Sequence, residues 1–173
     1  MTDETSAPWL DADESQAWNG LLAVVQRAFP EIERDLRTNH DMLAVHYHIL
    51  VSLSGAPEHT LRLSDLAHTA NLSQSRLTHR LRVLVDRGDV EITQHPDDKR
   101  AKHARLTEGG LQRLRTVAPA HVATVRRLIF DHLSPAQSRA LAGALAPIAA
   151  SLCDHPEYLN PQHCPPVAAP TDG

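Results

Sequence analysis

Apolar residues recur at helical spacing over most of the chain, and only short stretches alternate in the manner of a strand. A helix can begin at Asp11, with Glu14 three positions on as in a capping box. Trp18, Leu21 or Leu22, Val25 and Phe29 then share one face. Pro30 removes a backbone donor and clashes with the preceding turn, so it is expected to kink or restart that helix. The continuation over 31–37 leads through Asn39-His40-Asp41 into a second apolar helix over 42–53, which Gly55-Ala56-Pro57 ends.

The middle of the chain is denser in signals. Leu61-Arg62-Leu63 is a short extended piece, and Ser64-Asp65 is expected to cap a short helix over 65–70. Asn71-Leu72 makes a tight turn, Ser73 is a good N-cap, and a longer helix spans 74–87 with Gly88 just past its end. Residues 89–94 alternate polar and apolar, 95–100 form a polar turn, and a second strand near 102–106 returns as a hairpin. Two helices joined by a tight turn and followed by a two-stranded ribbon predict a winged helix-turn-helix, the element that sets its second helix in the DNA major groove.

Along the 74–87 helix, Leu77, Leu81 and Leu84 define an apolar stripe with Val85 beside it, while Ser75, His79, Arg82 and Asp86 point away. Gln74, Ser75, Arg76, Thr78, His79 and Arg82 are therefore the candidates for base and phosphate contacts. Arginine can hold guanine O6 and N7 as a pair, and hydroxyls donate or accept. Arg80, closer to the apolar edge, is expected to cover the core with its stem. At the hairpin tip, Asp98, Lys99, Arg100 and Lys102 form a basic wing, with Arg100 suited to a narrow minor groove and Asp98 placed to orient it.

Beyond the hairpin, Thr107-Glu108 caps a long helix expected to reach about 133 and to be interrupted or bent at Pro119. Ser134-Pro135-Ala136-Gln137 is a capping box with proline at the first helical position. Leu141, Leu145, Ile148 and Leu152 follow at helical steps, with a bend expected at Pro147. The predicted organisation is a disordered 1–10, supporting and dimerising helices over 11–56, a DNA-binding domain over 57–107, dimerising helices over 108–154 and a proline-rich tail over 155–173. The apolar stripes near 18–29 and 141–152 exceed what a small winged core can cover, so they predict a homodimer.

The charge changes the picture by its distribution. The formal net charge of −4 argues against nucleic acid as a whole-chain number. Residues 1–40, however, hold eight acids against three arginines, whereas 61–107 hold nine bases against six acids. An acidic end and a basic middle suit a protein with one face for DNA. Aromatic residues make up 3% of the chain, so the core must be built from Leu, Val, Ile and Ala. No run approaches the roughly 20 apolar residues a membrane helix needs. The start lacks a secretory pattern, and two cysteines make no disulfide framework, so a cytoplasmic home is expected. There is no glycine-rich phosphate loop, nucleophile elbow or acid–base pair in sequence, so neither an enzyme nor a cofactor is expected. Twelve histidines raise the possibility of a metal-responsive regulator, through His40, His46 and His48 or through Cys153, His155, His163 and Cys164. Their spacing matches no metal-site pattern, and surface or core-edge histidines are the simpler reading.

Together these motifs carry a resemblance. Leu63-Ser64-Asp65-Leu66-Ala67, Leu72-Ser73-Gln74-Ser75-Arg76-Leu77-Thr78, Arg87-Gly88-Asp89-Val90, Asp98-Lys99-Arg100 and Leu106-Thr107-Glu108-Gly109-Gly110 resemble the multiple-antibiotic-resistance regulator (MarR) family. The resemblance runs from about residue 18 to residue 152. It implies a mostly α-helical fold with a small β-wing and a dimer built by the N- and C-terminal helices. It also implies two recognition helices on a pseudo-palindromic double-stranded operator. Members are commonly repressors released by small phenolic or anionic ligands that bind between the dimer helices and the winged domain. Trp18, Tyr47 and His48 are similar to residues of a branch that responds to urate-like ligands. That branch typically has aspartate where this chain has His48, which argues against urate itself. A winged-helix module that binds protein rather than DNA is the alternative class.

Overall fold

The computed structural model describes residues 9–94 and 102–152. The chain begins with a 29-residue helix, α1 (Ala12–His40), and continues through α2 (Ala44–Ser54) and a 3-10 turn to β1 (Thr60–Arg62). Then come α3 (Leu63–Thr69), α4 (Gln74–Asp86), β2 (Val90–Gln94), β3 (Lys102–Leu106), α5 (Glu108–Leu128), a second 3-10 turn and α6 (Pro135–Leu152). Among the described residues, no helix is long and apolar enough to cross a membrane.

Local chemistry explains most boundaries. The Asp11–Glu14 capping box closes in both directions at 2.8 and 2.9 Å. Ser73 caps α4 and Thr107 caps α5. At the start of α6, Ser134 and Gln137 exchange bonds at 2.9 and 3.3 Å. Gly88 ends the α4 region with φ 76°, the left-handed conformation that favours glycine.

Four expectations are corrected. The helices run on through Pro30, Pro119 and Pro147, so the restart at Pro30 and the interruption at Pro119 do not occur. Each proline frees the carbonyl four residues earlier, at Gln26, Arg115 and Gly143, and all three residues are exposed, so water can satisfy the carbonyl. α5 stops at Leu128, short of 133, and a 3-10 turn fills the gap. α3 begins earlier than expected, with Arg62 at its N-cap and no side-chain cap; the Ser64 hydroxyl instead bonds Asp65. The predicted two-stranded ribbon, β2 with β3, also gains a third strand from the segment read as a short extended piece. β1 pairs antiparallel with β3, giving the order β1-β3-β2 with Leu61 opposite Ala104 and Ala104 opposite Ile92.

The core lies where α2, α3, α4 and the sheet meet the first half of α5. Ile49, Leu50, Leu53, Leu66, Leu77, Leu84, Val90 and Leu114 are almost fully enclosed there. The joint between sheet and α5 is tight. The Thr107 hydroxyl donates to the carbonyls of Gly88 and Asp89 and accepts from the N–H of Gly110. A Cβ on Gly110 would fall 2.1 Å from the Asp89 carbonyl oxygen, so only glycine fits. The Leu-Thr-x-x-Gly motif is therefore a backbone lock that fixes the wing sheet against α5.

Candidate nucleic-acid interface

α3 and α4 are joined by a turn in which Asn71 takes φ 51°, a conformation asparagine tolerates better than most residues. Leu77, Leu81 and Leu84 anchor α4 in the core. Gln74, Ser75, Arg76, Thr78, His79 and Arg82 are all exposed, so the fold places every sequence-predicted residue of this helix on its free face. Asp86 is exposed with them, and Arg80 is half-buried, as a stem lying over the core requires. Val85, expected beside the apolar stripe, is instead exposed; Val83 is half-buried in its stead.

The hydroxyl chemistry on this face is already partly committed. Thr78 donates its proton to the carbonyl of Gln74 at 2.9 Å, which leaves its oxygen as an acceptor for a base amino group. The Ser73 and Ser75 hydroxyls lie 3.2 Å apart. Arg76 and Arg82 form no ion pair with any described residue, so their guanidiniums stay available to phosphate or guanine. By contrast, Arg105 is paired with Glu91 and Arg113 with Asp89. In the wing, Lys102 is exposed and faces Gln94 across the last described pair of the ribbon. Asp98, Lys99 and Arg100 lie outside the described residues.

A second cluster sits where α1, α2 and α5 meet, above the winged core. The rings of Tyr47 and His121 are 4.2 Å apart at 43°, and His48 lies 6.2 Å from Tyr47. Asp35 of α1 accepts from Thr124 of α5 at 3.0 Å. Burial holds the imidazoles of His46, His48 and His121 below their ordinary pKa. Arg80 and Arg87 add to the effect at His46, and Glu33 opposes it. At His121, His48 and then His40 push the same way, while Asp35 opposes. His46 Nε2 and His121 Nδ1 are buried with no hydrogen-bond partner among the described residues.

The fold thus brings Tyr47 and His48 together and adds His121, which sequence reasoning missed because it lies some 70 positions away with no local pattern to flag it. Trp18 is not brought to them. It is 51% exposed and lies on α1 roughly 25 Å of helix axis before Asp35. Among the described residues, no group of three or more His, Cys, Asp or Glu is placed to hold a metal ion. Cys153, His155, His163 and Cys164 lie outside those residues.

Residues 44–102 match the profile of the MarR family, a span that holds α2, the helix-turn-helix and most of the wing. The fold is similar to the DNA-bound crystal structure of Sco3205, a MarR family transcriptional regulator from Streptomyces coelicolor. That likeness has a TM-score of 0.80 and 33% identity, covering 88% of this chain and 98% of that one. It is equally similar to AbsC of the same organism, with a TM-score of 0.78 and 38% identity over 84% of this chain and 98% of the other. The chain belongs to the MarR family. MarR proteins are transcriptional regulators rather than enzymes, and the Sco3205 complex shows one of them on DNA. A curated relative, the HTH-type transcriptional repressor YetL of Bacillus subtilis (strain 168), is 32% identical over 86 residues. The match spans about half of YetL, 52% of its length.

Proposed function

We propose that this MarR-family regulator is a homodimeric, sequence-specific repressor that binds a pseudo-palindromic operator and is released by a small ligand. The observation that carries the dimer is the state of its terminal helices. Trp18, Val25 and Phe29 on α1 are 46–57% exposed, and Leu141, Leu145, Ile148 and Leu152 on α6 are 37–81% exposed. No residue of α6 is buried. Fully enclosing a large apolar side chain is worth about 1.5–3 kcal/mol, so leaving two stripes in water calls for a partner. An open cleft of about 310 Å³, lined by Ala23, Val24, Arg27, Ala28, Glu31 and Leu128, lies along the same stretch of α1. A second copy of the chain satisfies both stripes at once, and its twofold axis matches two half-sites roughly 34 Å apart.

On each half-site, Gln74, Ser75, Arg76, Thr78, His79 and Arg82 read the major groove. Lys102 and the Asp98-Lys99-Arg100 wing reach the flanking minor groove and phosphates. The YetL match supports repression as the sign of regulation. Tyr47 and His48, joined by His121, are the seat for a small phenolic or anionic ligand, with Trp18 able to contribute only from a partner subunit. A ligand there weakens DNA binding by its differential affinity for the spaced and misspaced dimers, and by no more than that. The protein acts in the cytoplasm, where its DNA is.

The test is a mobility shift on the protein's own upstream DNA, with competitor DNA and two salt concentrations, beside sedimentation of the free protein. A dimer with competitor-resistant, salt-sensitive binding supports the proposal. Binding no tighter than to random DNA would instead favour a winged-helix module that binds protein.

A further inference from the structure

The recognition helix is tied at its C-terminal end to a corner whose local chemistry is unfavourable. Asp41 closes α1 with φ 48°, a left-handed conformation that aspartate adopts less readily than the glycine usually found at a helix end. It also sets a carboxylate at the negative end of the helix dipole, where a cation is preferred. Compensation comes from 46 positions away. Arg87, at the C-cap of α4, donates from Nη1 to the Asp41 carbonyl oxygen at 2.8 Å and from Nη2 to its Oδ2 at 3.0 Å. The other side of the corner is fixed as well: Glu33 of α1 accepts from the N–H of Ala44, the first residue of α2, at 3.0 Å. Residues that violate a local preference and are rescued only by a tertiary partner concentrate at functional sites.

We propose that Asp41 and Arg87 are a positioning clamp that sets the angle of α4 against α1, and so the spacing of the two recognition helices, without touching DNA. The proposal rests on the dimeric reading above. A planar guanidinium held by two bonds fixes direction as well as distance, which a lysine ammonium cannot do. The lever is long. α4 spans about 20 Å, so a tilt of about 10° at its base swings its DNA-reading end by ~3 Å, roughly one base-pair step.

Asp41→Gly separates this role from a structural one, because it removes both the strained conformation and the misplaced carboxylate. The probes are a palindromic duplex selected by the wild-type protein from a random-sequence pool, and the same duplex with one half-site scrambled. Asp41→Gly is expected to keep or raise Tm while lowering affinity for the intact duplex about tenfold, a typical coupling between sites. Affinity for the scrambled duplex and the salt slope stay unchanged. Arg87→Ala, which removes both bonds where Asp41→Gly keeps the one to the carbonyl of residue 41, gives at least the same loss, Arg87→Lys does not restore it, and the double variant loses no more than Arg87→Ala. Intact-duplex affinity retained in Asp41→Gly would overturn the clamp, as would an equal loss on both duplexes. A salt slope reduced by about 0.9 in Arg87→Ala would place Arg87 on phosphate and overturn it too. Sedimentation of the wild type distinguishes the two failures: a dimer with unaffected variants overturns the clamp alone, whereas a monomer overturns the dimeric reading with it.

Discussion

The winged unit and the terminal helices are built from similar residues to opposite effect. In the unit formed by α2, α3, α4 and the sheet, most large aliphatic side chains are enclosed, Val85 and Ile92 excepted, and the backbone is locked by Thr107 and Gly110. Along α6 and the first half of α1, the same kinds of side chain stand in solvent. A domain with a closed core can present a polar face to DNA because its apolar demand is already met. On the dimeric reading proposed above, an arm with an open stripe has its demand met by a second molecule. The difference is what the proposed function uses in giving DNA reading to one region and assembly to the other.

Several perturbations would break or sharpen this contrast. Leu145→Asp places a charge on the open stripe of α6. It should split the dimer and cost the ~10²–10⁴-fold advantage of engaging two half-sites together, with the winged core still folded. Mobility shift beside circular dichroism checks it, and a stable mutant dimer with intact binding would count against the assignment. Gly110→Ala strikes the closed region instead. Its methyl would meet the Asp89 carbonyl oxygen, so a loss of about 3 kcal/mol is expected in denaturant unfolding, and a neutral result would mean the lock is not tight. Arg82→Ala touches only the polar face. Operator affinity should fall about tenfold, in line with the ~1–3 kcal/mol of a good base contact, with thermal stability unchanged.

The smallest effect is a pH dependence at the junction of the two regions. Burial lowers the pKa of His46, His48 and His121, so their folded values lie below the unfolded value of 6.5. Below that value the unfolded chain binds more protons than the folded one. The stability these groups contribute is therefore complete above about pH 6.5 and is lost as pH falls toward their folded values. Tm should decline over that range and decline less in a His46→Gln, His121→Gln variant; parallel curves for the two proteins would reject this origin.

The α4 stripe was legible because Leu77, Leu81 and Leu84 repeat at helical spacing between a Ser73 cap and a Gly88 stop, all within one short window. The candidate DNA face followed from the same count. The segment around Leu61 was legible as extended but not as a third strand, since Thr60–Arg62 is too short to show its partner and is defined by pairing with β3. α1, α5 and α6 continue through their internal prolines because the freed carbonyls lie on exposed residues, where water can replace the lost hydrogen bond.

By itself, the sequence determined the helices, most of their caps though not that of α3, the hairpin and the polar face of α4, because these depend on contacts within a few residues of one another. Only the tertiary structure decided that Gly110 must be glycine, that Tyr47 meets His121, and that Asp41 is answered by Arg87. It also decided that the stripes of α1 and α6 find no cover among the described residues. Each of these is a meeting, or a failure to meet, between positions far apart in sequence. Such pairings are selected by how whole elements pack, and no local period encodes them.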